Sequence, residues 1–242
     1  MEDQWEEHSY CPHLKSGLAI INEMLTAVGG KTQNTTNKLV SWRDEQWEEV
    51  FSPMAIARCG HAVVSDESYV IAAGGMNDET SVELFKISSN TWSTVAGLPQ
   101  PLYRITATLC NDRIYAMDDY GSAFSILMSD LTPDISRDLP ASQSCWLPLS
   151  STVPRESSTL CAVNGVVMAV GGSKENRIPE NDIYAYNVSS GKWIKVGSMD
   201  TQRFLPIVAV LPGDKIVVVG GRSGENLSPI SLFTTVEVAF LC

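Results

Sequence analysis

The sequence predicts an all-β fold built from five copies of one unit, and three observations lead there. Short apolar runs ending in a glycine pair recur at Met24–Gly30, Val70–Gly75, Val166–Gly172 and Ile216–Gly221, and a fifth, Ile114–Met117, ends in Asp118-Asp119 instead. Tryptophans keep the same beat at 47, 92, 146 and 193, and Trp5-Glu-Glu near the N-terminus matches Trp47-Glu-Glu. Arginines 58, 104, 155 and 203 precede the glycine or aspartate pairs by 14 to 17 residues. One apolar run before Gly-Gly carries little information, since many strands end at glycine. Four in register with Trp and Arg define a repeat, with the pairs 44 to 53 residues apart.

This pattern resembles the kelch repeat, whose units of about 50 residues each form one four-stranded blade of a β-propeller. The likeness spans essentially the whole chain. It departs from the family pattern at Asp118-Asp119, at Val40 (where the second and fourth units carry Phe85 and Tyr186), and in having five units where kelch propellers usually have six or seven. The resemblance implies a five-bladed kelch-type β-propeller of four-stranded antiparallel blades. A single domain is expected over 1–242: closing strand 1–11, blades at 12–50, 51–96, 97–150 and 151–197, and three strands of a fifth at 198–242.

Alternating apolar residues punctuated by Gly, Asn, Asp and Pro place the strands. The first blade is expected at Leu18–Ile21, Met24–Val28, Lys38–Trp42 and Gln46–Val50, with Asn22-Glu23 as its first turn. The second is expected at Gly60–Val64, Tyr69–Ala73, Val82–Ile87 and Thr91–Val95. The third takes Ile105–Cys110, Arg113–Met117, Ala123–Met128 and a strand near Cys145–Leu149, after an irregular insertion from Ser129 to Ser144. The fourth takes Thr159–Val163, Val166–Val170, Ile183–Val188 and Lys192–Val196. The fifth has Leu205–Leu211, Lys215–Val219 and Thr235–Leu241, and lacks an outer strand. Residues 4–9 supply a strand without a blade, so pairing them with 235–241 closes the ring and covers a raw sheet edge. The glycine pairs are expected at positive φ near the crowded centre, and the tryptophans between neighbouring sheets. No stretch shows a helical period.

Composition bounds the function. The chain has 242 residues, with 17 basic against 28 acidic and a net charge of −11. Nucleic-acid binding needs a basic footprint and is not expected. The acidic N-terminus lacks the apolar core of a signal peptide, and no apolar run is a comfortable membrane span. None of the six cysteines forms Cys-x-x-Cys. Cys110 and Cys161 each follow a repeat arginine by six residues and read as small buried hydrophobes in a reducing compartment, with disulfides as the alternative. A cytoplasmic protein is expected.

Catalysis is poorly supplied. There are three histidines, and no nucleophile elbow, phosphate loop, zinc-protease or dinucleotide motif. Asp118-Asp119 has no histidine nearby in sequence, so pairing with Arg104 or Arg113 is expected rather than a metal, and no cofactor is expected. Topology instead points to one face. The loops after each second strand and the links between blades share it: Lys31–Asn37, Met76–Ser81, Ser173–Asn181 and Arg222–Pro229 are the richer loops. Kelch proteins resembling this one contact acidic or polar peptide segments with such loops and arginines. The matching positions are Arg58, Arg104, Arg155, Arg203 and Arg222, and Tyr103, Arg177, Lys31 and Asn77 join them as candidate partner-binding residues. The arginine fork suits carboxylates. The same arginines could instead hold inter-blade loops by bonding carbonyls or carboxylates. The resemblance implies a protein-interaction module for a protein or acidic peptide, with substrate capture for a cullin-type ubiquitin ligase as one form of that role. Actin binding, or a kelch-scaffold enzyme of the copper-oxidase or sugar-acid-isomerase type, is the alternative.

Overall fold

The computed structural model describes residues 10–132, 145–174, 178–223, 231–232 and 236–240. The first sheet has strands β1 (Gly17–Ile21), β2 (Met24–Lys31), β3 (Thr35–Arg43) and β4 (Gln46–Glu48), hydrogen-bonded in that order. The second has β5 (Ala62–Ser65), β6 (Tyr69–Ala73), β7 (Val82–Lys86) and β8 (Thr91–Val95). The third has β9 (Thr106–Cys110), β10 (Arg113–Met117), β11 (Ala123–Leu127) and β12 (Leu147–Pro148). The fourth has β13 (Thr159–Val163) and β14 (Val166–Val170), then, past the small hairpin of β15 (Ser173–Lys174) and β16 (Ile178–Pro179), β17 (Asp182–Asn187) and β18 (Lys192–Ser198). The fifth has β19 (Ile207–Leu211) and β20 (Lys215–Val219). It is completed by β23 (Val236–Phe240), beyond a second small hairpin of β21 (Arg222–Ser223) and β22 (Ser231–Leu232). All pairings are antiparallel, as the short links between successive strands require. Thus four blades have four strands, and the fifth shows three among the described residues. The expected pairing of residues 4–9 with 235–241 lies outside them.

The local chemistry explains the hairpins. Asn22-Glu23, Asn111-Asp112 and Asn164-Gly165 all take positive φ, between 49° and 72°, at the two-residue turns joining first to second strands. Such turns match the strand twist and favour Asn, Asp and Gly. The inner strands follow one another in sequence, β1 beside β5, β5 beside β9, β9 beside β13 and β13 beside β19. Second strands are therefore covered on both faces: β6, β10 and β14 each bury every residue but the first. Outer strands β8 and β18 bury none.

The core is a set of layers between blades. Ile21, Leu39, Val70 and Phe85 join the first and second blades, and Ile71, Leu84, Ile114 and Ile126 the second and third. Tryptophans sit in these layers as the repeat suggests. Trp146 is buried and donates its indole N–H to Ala96 O at 3.3 Å, and Trp92 donates to Ser52 O at 2.8 Å. Trp92 packs on Phe85, with ring centroids 5.0 Å apart.

All four glycine pairs have positive φ, from 59° to 107°. The third blade solves the same corner differently. Asp118 Oδ1 accepts the backbone N–H groups of Tyr120 and Ser122 at 2.9 and 2.8 Å, and the left-handed residue moves on to Gly121, at 84°. Cys59, Cys110 and Cys161 are buried free thiols, and burial pushes Cys161 up to about 12. A short helix, α1 (Met128–Leu131), opens the insertion of the third blade.

Candidate functional site

A residue with left-handed backbone stands two positions before each inner strand. These are Lys15, Gly60, Arg104, Ser157 and Leu205, with φ of 54°, 61°, 49°, 54° and 51°. The backbone links some of them directly: Gly60 N–H donates to Lys15 O, and Leu205 N–H to Ser157 O, both at 2.9 Å. The preceding residues Leu14, Cys59, Glu156 and Phe204 form isolated bridges to Lys31, Met76, Ser173 and Arg222, each just after a glycine pair. This fixes the structural register of the links.

In that register the repeat arginines separate. Arg58, Arg155 and Arg203 occupy one position, two residues before the left-handed one. Arg104 is itself left-handed, and its blade carries Leu102 at the Arg58 position. The signal was present in the sequence: Arg104 precedes its acidic pair by 14 residues, where the others precede their glycines by 16 or 17.

The shared position points inward. Arg58 and Arg203 are fully buried, at 0% exposure. Arg58 donates to Gly74 O and Ser81 O at 3.0 and 3.1 Å, to Ser81 Oγ at 2.8 Å, and to Glu83 Oε2 at 2.7 Å. Glu83 in turn accepts the N–H of Ala55 at 2.7 Å and of Ile56 at 3.3 Å. Arg203 donates to Gly220 O at 2.6 Å. These two arginines staple the link between blades to the loop of the next blade, so the expectation of a contact surface at Arg58 and Arg203 is corrected to a structural role. Arg155 is largely buried and donates to Asp182 Oδ2 at 2.5 Å, with its guanidinium 5.4 Å from the centre of the Tyr184 ring. Burial raises the Asp182 carboxyl, but hydrogen bonds from Lys195 and Arg155 outweigh it and hold the group below the usual range. The acidic partners Glu83 and Asp182 were not singled out from sequence. They follow their arginines by 25 and 27 residues, a spacing that marks them.

Arg104 faces outward, its side chain 51% exposed. It lies 3.4 Å from Asp119 Oδ2 and 5.8 Å from the centre of the Tyr103 ring. Asp119 thus pairs as the sequence suggests, whereas Arg113 donates to Ser125 Oγ instead. Burial pushes the Asp118 carboxyl up, and its bonds to the Ser122 and Tyr120 amides offset part of that.

Arg104, Tyr103 and Arg222 meet at one cavity of about 580 Å³ on the loop-rich face. All five repeat units line it, through the residues just before each inner strand and the first residues within it. Its size is that of a ligand or side-chain pocket. Lys15, Arg104 and Arg222 supply positive charge against the carboxylate of Asp119. His61 also lines it, and burial together with the Arg58 guanidinium pushes its imidazole down to about 3, so it is neutral. Lys15 and His61 were not named from the sequence as contacts. Arg155 lines a different depression, of about 530 Å³, with Tyr120, Glu156, Lys174 and Ile178. Lys31, the last residue of β2, and Asn77, on its loop, are exposed outside both cavities, and Asn77 donates to Ala57 O at 3.1 Å. Arg177 lies outside the described residues.

Repeated blades, four with a glycine pair at the central corner and three entered past an inward arginine, characterise one class of repeat protein. The model of the Kelch motif matches residues 57–99 and 154–200, which are the second and fourth blades with their links. Those two units carry the Kelch motif. It is similar to Kelch-like protein 36 of Rattus norvegicus, 24% identical over 247 residues, covering 93% of this chain and 38% of that protein. It is also similar to Kelch-like protein 38 of Homo sapiens, 21% identical over 232 residues, covering 90% of this chain and 38% of the other. A shorter stretch of 67 residues is 37% identical to Kelch-like protein 24 of Homo sapiens, covering 28% of this chain and 10% of that one. The chain spans well under half the length of these relatives. No helix among the described residues is long and apolar enough to cross a membrane.

Proposed function

We propose that this chain is a non-enzymatic protein-interaction module that binds an acidic segment of a partner protein at the five-unit cavity. One observation carries the reading: Lys15, Arg104 and Arg222 converge there from different blades in a chain whose net charge is −11. The average field of such a chain opposes an acidic ligand. Screening confines exposed charges to about 8–10 Å at physiological salt, so the local cluster governs the encounter. Arg104 and Tyr103 offer a fork and an exposed ring side by side, the residue types that dominate interface energetics. In the same reading the five blades form one closed ring in a cytoplasmic protein, and the module presents its captured partner to a cullin-type ubiquitin ligase.

The test is the double substitution Arg104→Ala with Arg222→Ala, measured against a partner captured on the immobilised native chain. Affinity should fall by about 2–4 kcal/mol if both residues anchor the partner. The melting temperature should hardly move, since exposed ion pairs contribute about 0–1 kcal/mol. A variant that melts early and still binds places recognition elsewhere.

A further inference from the structure

The cavity combines charged and apolar lining. Around the third blade it carries Tyr103, Arg104 and Asp119, and the fourth blade adds Ser158 and Thr159. Around the first and fifth blades it carries Leu18, Pro206, Ile207 and Val208 beside Lys15 and Arg222. Two of these aliphatic side chains are conspicuously wet: Leu18 is 54% exposed and Ile207 64%. Both lie near the start of inner strands, β1 and β19. Ala19 and Ile21, alternating with Leu18 on β1, are buried against the second blade. Leu18 thus lies on the face of β1 opposite the second blade. Exposed apolar surface beside a charged rim is what a recognition site presents.

Resting on the interaction reading above, we propose that the cavity selects an amphipathic acidic segment: a Glu or Asp side chain for Arg104, with a bulky aliphatic or aromatic side chain close to it in sequence for Leu18 and Ile207. Charge complementarity places the carboxylate. Arg104 is shared with Asp119 at 3.4 Å, a long and weak contact, so its guanidinium retains donors for a second carboxylate. The apolar wall supplies what the charges lack. Two exposed cations distinguish acidic from basic segments but not one acidic segment from another, whereas covering Leu18 and Ile207 rewards only a segment with a large apolar group. Neither element alone gives both sign and shape selectivity.

The experiment is selection of a random eight-residue peptide display library on the native chain, followed by fluorescence-polarisation titration of synthetic consensus peptides. The expected consensus pairs an acidic residue with Leu, Ile, Phe or Trp within a few positions. Leu18→Ser and Ile207→Ser should each weaken that peptide at least fivefold and leave a control peptide, with Ser in place of the apolar residue, unchanged. Arg104→Ala should weaken both peptides. The exposed sites make either serine variant compatible with folding, and an unchanged melting curve verifies it. Enrichment of acidic peptides with no apolar preference, insensitive to both serine variants, overturns this inference and leaves the interaction reading intact. Enrichment with no acidic preference, or no enrichment at all, overturns both.

Discussion

Removing Glu83 tests the buried staple between the first two blades. The Arg58–Glu83 pair is closed from water, with side-chain exposures of 0% and 1%. Glu83→Ala leaves a guanidinium in the core with its carbonyl contacts but no counter-charge, and it strips the acceptor from the Ala55 and Ile56 amides. Breaking a buried pair from one side costs about 3–5 kcal/mol. That is a large part of the roughly 5–15 kcal/mol that holds a typical domain. At about 2–4 °C per kcal/mol for a chain of this size, the melting temperature should fall by roughly 6–20 °C. Urea denaturation followed by tryptophan fluorescence reads the change, because Trp92 packs on the same inter-blade layer. Arg58→Met should also destabilise, and the double variant should cost less than the sum of the two, since replacing both charges removes the penalty of the orphan. A loss below about 1 kcal/mol for Glu83→Ala, or simple additivity in the cycle, would refute the assignment of Arg58 as a structural staple.

His61 makes stability fall in acid. Its pKa is about 3 in the fold and about 6.5 unfolded, so the unfolded chain binds the proton first and stability drops as pH falls below about 6.5, by roughly 2 kcal/mol at pH 5. His61→Phe should flatten that slope in urea midpoints between pH 7.5 and 5; an identical slope rejects the assignment. Gly75→Ala should destabilise strongly, because φ is 91° and a Cβ there would meet His61 Cβ at 2.6 Å and Cys59 O at 2.9 Å. Gly213→Ala has a similar φ of 78° but open space around it, so its cost should stay near the roughly 1–2 kcal/mol of left-handed strain alone; equal melting shifts for the two would mean that crowding at Gly75 is unimportant. Trp146→Ala should cost about 3–5 kcal/mol by emptying the layer between the second and third blades, and a much smaller loss in calorimetry would show that layer to be loosely packed.

Much of the architecture was legible because each repeat element has a local cause. The strands Tyr69–Ala73, Arg113–Met117, Val166–Val170 and Lys215–Val219 are observed at their expected bounds, since each is an apolar run fenced by a turn and a tight corner. Edges blurred where tertiary pairing extends a strand past its apolar run, as in β2, which continues through Gly29-Gly30 to Lys31, and β3, which begins at Thr35. The hairpins β15–β16 and β21–β22 left no pattern, because two-residue strands are too short for a period. The site was half legible. Residue type pointed to arginine, but burial divides Arg58 and Arg203 from Arg104, and burial depends on a two-residue offset that only the strand pairing fixes. Lys15 and Leu18 carry no motif. They matter because the first inner strand lies beside the others.

The left-handed residue before each inner strand has a consequence for how such a chain can change. Branching at Cβ is poorly tolerated at positive φ. The five occupants here are Lys15, Gly60, Arg104, Ser157 and Leu205, none of them β-branched. The bonds that hold these corners, such as Gly60 N–H to Lys15 O, use backbone alone. The lip of the cavity therefore works like a dial lock with one wheel per blade. Side chains not branched at Cβ, whether cationic, hydroxylic or aliphatic, occupy these wheels in front of the blades. Rotating one wheel alters what fits the opening, and Val, Ile, Thr and Pro are missing from its digits.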